Sequence, residues 1–482
     1  MVQRITNYFT ALGKVIKNWF IKLGKNTKSF FINLPRNTKN FFIGLYQIIK
    51  HYLITSQYPV YLSAIVMGLG QVFNKQYIKA ALYFLVEVGF ILFMVFLGGN
   101  YLSGLITLGV NQADPILGIQ GDNSIALMLM GLVSVVIIIV FIYLYISNIR
   151  DCYRTRNVIL NGKKPNTFVQ GLKDLLDKNF YKTVLAIPLI GVAVFSVVPI
   201  IFMILIAFTN YSSSLEPPTD LIDWAGFESF QTIFGAGNIS DTFFKILGWN
   251  ILWAILTTVI NYFIGLGLAL LLNSKKLKGK VFFRAFPILA YAIPGFITML
   301  AFKFMFSNGG PINYYLKLFG ADTIDFLGID STWTARFIGL FVNAWVSTPS
   351  IMLLATGILS NLNTDLYEAA SIDGASKFRQ FYKITLPFVV FSTTPVIISQ
   401  FISNFNNFGV FYFLRGSIYS SGYFVASDTD LLINWLYRLS IDQQNYNIGG
   451  AISILVFIIT SIISLLVYVR SPAYRKEDTY RW

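Results

Sequence analysis

Two groups of side chains in this 482-residue sequence could do chemistry, and little else could. The first is a charged, glycine-centred segment, "YEAASIDGASKFRQFYKITLP", at 367–387. With Asp365 just ahead of it, the segment sets Glu368 and Asp373 before Lys377, Arg379 and Lys383. Small residues, Ala369 and Ala370, follow the glutamate, and Gly374 sits between the acids and the bases. The second group is amides among aromatic rings. Asn343 precedes Trp345 in "NAWVSTPSIMLL" (343–354), and Asn404, Asn406 and Asn407 flank Phe405 and Phe408 in "SNFNNFGVFYFL" (403–414). A carboxamide donates and accepts hydrogen bonds without carrying charge. Such groups either receive a neutral, hydroxyl-bearing ligand or hold helices together through interhelical hydrogen bonds.

Other chemistries are excluded by composition. One cysteine, Cys152, permits neither an internal disulfide nor a cysteine zinc site. One histidine, His51, reads as a polar residue beside a membrane, so no metal or cofactor is expected. Gly-Lys pairs occur at 13–14, 24–25, 162–163 and 279–280, but none is followed by Ser or Thr. The chain therefore lacks the loop that cradles nucleotide phosphates and is expected not to be an enzyme. Only Glu87 lies within an apolar run, and Lys303 sits near the end of one, where its stem can reach outward. No buried carboxylate relay of the kind that couples ions to transport is visible. Any driving energy must come from another polypeptide.

The elements that position these residues are membrane spans. The chain is 55% hydrophobic and only 12% charged. Runs such as "GLVSVVIIIVFIYLYIS" (131–147) and "AISILVFIITSIISLLVYV" (451–469) contain no charge. Roughly 20 such residues cross the hydrocarbon layer as a helix. The fold class is all-α, a polytopic membrane protein, with spans expected near 77–98, 124–147, 182–209, 246–272, 285–306, 336–359, 385–412 and 448–469. The short apolar piece 58–70 lies at the interface or makes a re-entrant start to the first span. With both termini cytoplasmic, the inside segments collect most of the 37 Lys and Arg, and the outside loops are acid-rich. "SKKLKGKVFFR" (274–284) is then inside and "LEPPTDLIDWAGFESF" (215–230) outside. Segment 365–387 falls inside. The net charge of +15 reflects loops facing anionic lipid rather than nucleic acid.

Ahead of the spans, residues 1–58 carry nine Lys/Arg and no acid. They contain an 11-residue repeat, "KVIKNWFIKLG", "KNTKSFFINLP" and "RNTKNFFIGLY" (14–46). Eleven residues return the apolar group to nearly the same helix face. A basic amphipathic surface with aromatic anchors lies in the headgroup plane, and no secretory signal is present. The expected organisation is this region (1–58), two extra spans with a basic loop (59–180), a six-span core (181–472) and a cytoplasmic tail (473–482).

The spacing Glu368-Ala369-Ala370, three residues, Gly374, nine residues, Ile384-x-Leu386-Pro387 resembles the EAA loop of ABC importer membrane subunits. Residues 182–469 resemble, more narrowly, the MalF-type subunit of maltose/maltodextrin importers. The resemblance implies that Asp365, Glu368, Ala369, Ala370 and Gly374 dock into a cleft of an ATP-binding subunit dimer. It implies a second, MalG-like permease subunit, an extracellular sugar-binding lipoprotein and an oligosaccharide substrate. It carries sugar contact onto Asn343, Trp345, Ser347, Ser350, Asn404 and Asn407. Asn404 and Asn407 would share one helix face.

Departures from the pattern fall at the sugar site. Ser347, Ser350 and Ser403 replace the glycine, tyrosine and phenylalanine of the maltose subunit. Sugar import is therefore expected, and a galacto-, raffinose- or xylo-oligomer is the alternative to maltodextrin. The short outer loop at 210–243 fits a membrane-tethered binding protein of a Gram-positive-type cell. A secondary transporter working without an ATPase is the alternative from another class.

Overall fold

The computed structural model describes residues 58–470, apart from Pro115, Leu117, Ile119, Glu216, Lys275, Lys276, Thr364 and Ser417. The 11-residue repeats at 14–46 and the tail at 473–482 lie outside the described residues. Described residues are helical or loop, with no strand longer than the single bridge Thr209–Trp224. Seven helices are long and apolar enough to cross a membrane, and a bent pair makes an eighth. The chain divides into two units, one up to Ile106 with Ala126–Val198, the other Thr107–Ile125 with Pro199 onward.

The first unit begins with two short helices, α1 (Tyr58–Ile65) and α2 (Leu69–Phe73). They are followed by the spans α3 (Tyr77–Thr107), α4 (Ser124–Leu160) and α6 (Phe180–Ile206), with α5 (Phe168–Leu176) before the last. Mean hydropathy reaches 3.2 in α4. Lipid offers no hydrogen bonds, so the turn between α1 and α2 needs internal partners. Asn148 and Glu87 supply them. The Met67 N–H donates to Glu87 Oε2 at 2.9 Å, and the Gly68 N–H to Asn148 Oδ1 at 3.2 Å. Gln71 Nε2 donates to the same Asn148 oxygen at 2.8 Å. Gly68 has φ 89°, and a Cβ there would stand 2.3 Å from the Ala80 carbonyl oxygen. Glu87, the acid within the apolar run of α3, thus serves as an acceptor for a backbone turn.

The second unit is organised on α7 (Asn238–Asn273), a helix that buries Trp249, Trp253 and Tyr262. Next come α8 (Lys280–Ala292) and α9 (Gly295–Met305), bent by 95°. The expected straight span at 285–306 is therefore broken. Pro294 disfavours helix at the residue before it, and Ile293 is extended with ψ 130°. Then follow α10 (Thr332–Ser360), α11 (Asp365–Ile372), α12 (Lys377–Gln380), α13 (Leu386–Phe405) and α14 (Gly409–Arg415). The last two are α15 (Leu432–Tyr437) and the span α16 (Tyr446–Arg470). Gly265 lets α7 and α10 meet, since a Cβ there would lie 2.7 Å from Ile351.

The loop from α14 to α15 is held by two buried ion pairs. Arg415 lies 2.5 Å from Asp428 and Arg438 lies 3.2 Å from Asp430. Arg415 also donates to the Leu327, Gly328 and Ile329 carbonyls and to Ser427 and Thr429. No other cation could reach so many acceptors; a lysine has three donors on one atom. Arg415→Met should cost about 3–5 kcal/mol by stranding Asp428 and these carbonyls, and Arg415→Lys should recover little. Both are read as melting temperature of the purified protein.

The two aspartates titrate in opposite senses. Burial pushes the Asp430 carboxyl up to about 6, although Arg438 and the Ser427 N–H pull it back. Burial also raises Asp428, but hydrogen bonds from Thr332 and Arg415 outweigh it, leaving the group below the ordinary carboxylate range. The folded Asp430 keeps a proton that the unfolded chain releases. Its contribution to stability is full below the ordinary 3.8 and is lost as pH rises through about 6. Asp428 contributes above 3.8 and loses that contribution as pH falls further. Asp430→Asn should therefore flatten the melting-temperature profile between pH 4 and 6 only. An unchanged slope there would refute the assignment.

Candidate functional site

Segment 365–387 folds as a helix, a corner and a second helix. Asn363 Oδ1 accepts the Asp365 N–H at 3.0 Å, which starts α11. Asp365 and Glu368 occupy its first turn, where acids complement the helix dipole. The end is a two-bond glycine cap. The Ala375 N–H donates to the Ala370 carbonyl at 2.9 Å and the Gly374 N–H to Ser371 at 3.1 Å. Gly374 has φ 77°, and a Cβ there would touch nothing, so the glycine is required by backbone conformation alone. Ser376 Oγ caps α12 by accepting the Arg379 N–H at 3.3 Å.

Side-chain staples fix the corner. The Tyr367 hydroxyl meets Thr385 Oγ1 at 2.7 Å. Gln380 Nε2, buried, donates to Ser371 Oγ at 2.8 Å and to the Ala375 carbonyl at 3.2 Å. Outward, the loop presents Glu368, Ala369, Leu366 and the strongly exposed Ile372 and Phe378. The Glu368 carboxylate has no hydrogen-bond or ion-pair partner among the described residues. It borders an 840 Å³ cleft that also takes in Asn273 at the end of α7 and Leu359 near the end of α10. The surface thus combines an unpaired acid with small and exposed apolar residues.

The amides of the second group are divided between α10 and α7. Asn407 Nδ2 donates to Asn343 Oδ1 at 3.1 Å, so these two meet. Asn343 is buried, and its Nδ2 has no partner. Ser347 and Ser350 lie one and two turns along the same face, with Ser350 Oγ donating to the Ser347 carbonyl at 2.7 Å. Asn404 is not with them. Its Nδ2 donates to Thr258 Oγ1 on α7 at 3.0 Å. Trp345 points to the opposite face of α10, into an apolar cavity of 490 Å³ with Phe286, Pro287, Ile293, Phe341 and Thr348. Pro349 in that wall has no N–H to offer the Trp345 carbonyl.

The separation of Asn404 from Asn407 has a specific cause. The helix α13 ends at Phe405, and α14 begins at Gly409, so the two amides do not share a continuous face. The break is sustained by asparagines elsewhere. Asn250 on α7 donates to the Phe405 carbonyl at 3.1 Å and accepts the Leu432 N–H at 2.8 Å. Asn434 on α15 donates to the Phe408 carbonyl at 2.7 Å. Asn407 Oδ1 accepts the Val410 N–H at 3.1 Å, capping α14. Sequence reasoning missed Asn250 and Asn434. Their signal was a lone amide within an apolar run.

The structure is a membrane helix bundle with a broken span and an exposed acidic helix at the corner 365–387. Residues 261–473 match the family described as "Binding-protein-dependent transport system inner membrane component". The chain is 33% identical over 423 residues to the galactooligosaccharides transport system permease protein GanP of Bacillus subtilis, covering 86% of this chain and 98% of that protein. It is 34% identical over 428 residues to the maltodextrin transport system permease protein MalC of Streptococcus pneumoniae, covering 86% and 96%. The crystal structure of a bacterial ABC transporter that imports the acidic polysaccharide alginate shares the fold. That match has a TM-score of 0.51 at 21% identity and covers 62% of this chain and 96% of that one. The chain belongs to the MalF-type family of ABC sugar-importer permeases. It is a multi-pass transport subunit and not an enzyme; in these importers ATP is hydrolysed by separate subunits.

Replacing Asn250 by Ala leaves the Phe405 carbonyl and the Leu432 N–H without partners. Each buried orphan costs about 1–3 kcal/mol. Asn250→Ala should lower the melting temperature strongly, and a loss within 1 °C of wild type would refute its role at the break.

Proposed function

We propose that the chain forms one half of the pore of an importer for maltodextrin-like oligosaccharides, delivered by an extracellular binding protein. A second permease subunit completes the pore, and an ATPase dimer docks on α11. Both termini are cytoplasmic, and the cell is of the Gram-positive type. The observation that carries the sugar reading is the Asn343–Asn407 pair. It leaves an uncharged, unpaired buried donor on the face of α10 that also carries Ser347 and Ser350. Sugars offer hydroxyls that both donate and accept, and amides match them without the cost of burying charge. Two relatives carry maltodextrin and galactooligosaccharide in their names, so a galactooligosaccharide is the second reading.

The geometry supports a specific coupling. The foot of α13 is stapled to α11 through Thr385, and Asn407 stands just past its far end. Movement of α11 with the ATPase shifts α13 against α10. That separates Asn407 from Asn343 and uncovers the Asn343 Nδ2 for a sugar hydroxyl. Return of the helices closes the amide pair behind the released sugar. The pair thus exchanges the hydrogen bond at the Asn343 Oδ1 for one to substrate, and the sugar also supplies the partner that the Asn343 Nδ2 lacks in the closed pair.

Reconstitution with the ATPase and the second permease subunit tests both halves. Glu368→Lys and Gly374→Pro should abolish sugar-stimulated ATP hydrolysis, with the complex still folded by size exclusion. Full stimulation in both would sink the docking role. Asn343→Ala should raise the sugar KM about tenfold, the worth of one hydrogen bond of about 1.4 kcal/mol. A panel of maltodextrins and galactooligosaccharides in the same assay separates the two substrates.

A further inference from the structure

The first unit holds a cavity that the transport function does not use. It measures 670 Å³ and lies where α3 begins and where α4 runs past the end of its apolar stretch. Five cations line it: Lys75, Lys79, Arg156, Lys163 and Lys164. No carboxylate does, among the described residues. Lys79 is matched by Asp151 at 3.0 Å. The side chains of Lys75, Lys163 and Lys164 have no partner among the described residues. The two lips are tied together, because Gln76 Nε2 donates to the Asn166 carbonyl at 3.1 Å. Helix α5 starts at the rim, with Thr167 and Phe168 in the lining, and adds the positive end of its dipole.

Two further features narrow the ligand. Asn74 Oδ1 and Gln76 Oε1 are buried acceptors with no hydrogen-bond partner, and both residues line the cavity. Asn74 is only 2% exposed. Its amide nitrogen points to Cys152, so the carbonyl oxygen is left for a donor. A phosphodiester group alone, which has no O–H, would satisfy the cations and leave both acceptors unmet. A phosphate that carries hydroxyls satisfies both. The other wall of the cavity is Phe73, Tyr77 and Ile78, all exposed and continuous with the largely unburied apolar surface of α3. Acyl chains fit that wall, and a soluble anion would leave it wet.

We propose that this cavity binds the headgroup of an anionic phospholipid with free hydroxyls, of the phosphatidylglycerol kind. The phosphate sits among Lys75, Lys163, Lys164 and Arg156, and the headgroup hydroxyls donate to Asn74 and Gln76. Basic pockets at headgroup depth recognise anionic lipids in this way.

The test uses the assembled importer, extracted from vesicles of phosphatidylcholine with equal minor fractions of phosphatidylglycerol and phosphatidylserine. Lipid retained by the complex is read by native mass spectrometry. Wild type should retain phosphatidylglycerol about tenfold over its vesicle fraction. Lys75→Ala/Lys163→Ala/Lys164→Ala should lose that enrichment, because the three lysines are exposed and the fold does not depend on them. Lys173→Ala/Lys178→Ala, basic positions outside the cavity, should keep it. Equal enrichment in the triple variant would overturn the site. Equal retention of phosphatidylserine would overturn the hydroxyl assignment. Displacement of the lipid by millimolar inorganic phosphate would show a soluble-anion site instead.

Discussion

Where a helix breaks inside a membrane, every backbone group it releases must find a partner in the protein. The rest of this structure depends on that constraint. At Phe405–Phe408 the partners are Asn250, Asn434 and Asn407, drawn from α7, α15 and the break itself. At the α1–α2 turn they are Glu87 and Asn148. The polar residues of this chain are few, and many of them serve as substitutes for missing helical hydrogen bonds. An asparagine is suited to this because it donates and accepts at once, as Asn250 does between α13 and α15.

The two faces of α10 then become two environments. One carries Asn343, Ser347 and Ser350 against Asn407; the other carries Phe341, Trp345 and Thr348 around an apolar hollow against α8. Pro349 weakens the helix between these faces, and the neighbouring break at Pro294 lets α8 lean away. The hydrogen-bonding and stacking functions that a sugar site combines are kept apart here.

Much of this was legible in the sequence, and the division follows from range. Spans were legible because each needs only its own apolar run, and six of the eight expected ones form as continuous helical segments, while 285–306 breaks at Pro294 and 385–412 breaks after Phe405. The conformation of the corner at 365–387 was legible because its contacts are local: the cap at Gly374 and the Tyr367–Thr385 contact join residues fewer than twenty apart. The site was less so. Helical periodicity put Asn404 beside Asn407, and nothing near them in sequence announces a break that Asn250 and Asn434 enforce from 155 and 26 residues away. Trp345 was grouped with Asn343 by proximity, although two residues along a helix point to nearly opposite sides. The Arg415 cluster was invisible for the same reason. Its partners at 327–329 and 427–429 are separate loops, and the arginine looked like any helix-ending cation.

Gly374 invites description as a pivot, and its surroundings make it something stiffer. Its two capping bonds, the buried Gln380 amide and the Tyr367–Thr385 contact close α11, α12 and the foot of α13 into one braced bracket. A bracket passes on a push without play. A push applied at Ile372 would be carried to α13 through these bonds rather than spent bending the corner. Compliance must then reside in the spans themselves, at Pro294, Pro349 and the gap after Phe405, where the helical hydrogen-bond ladder is interrupted.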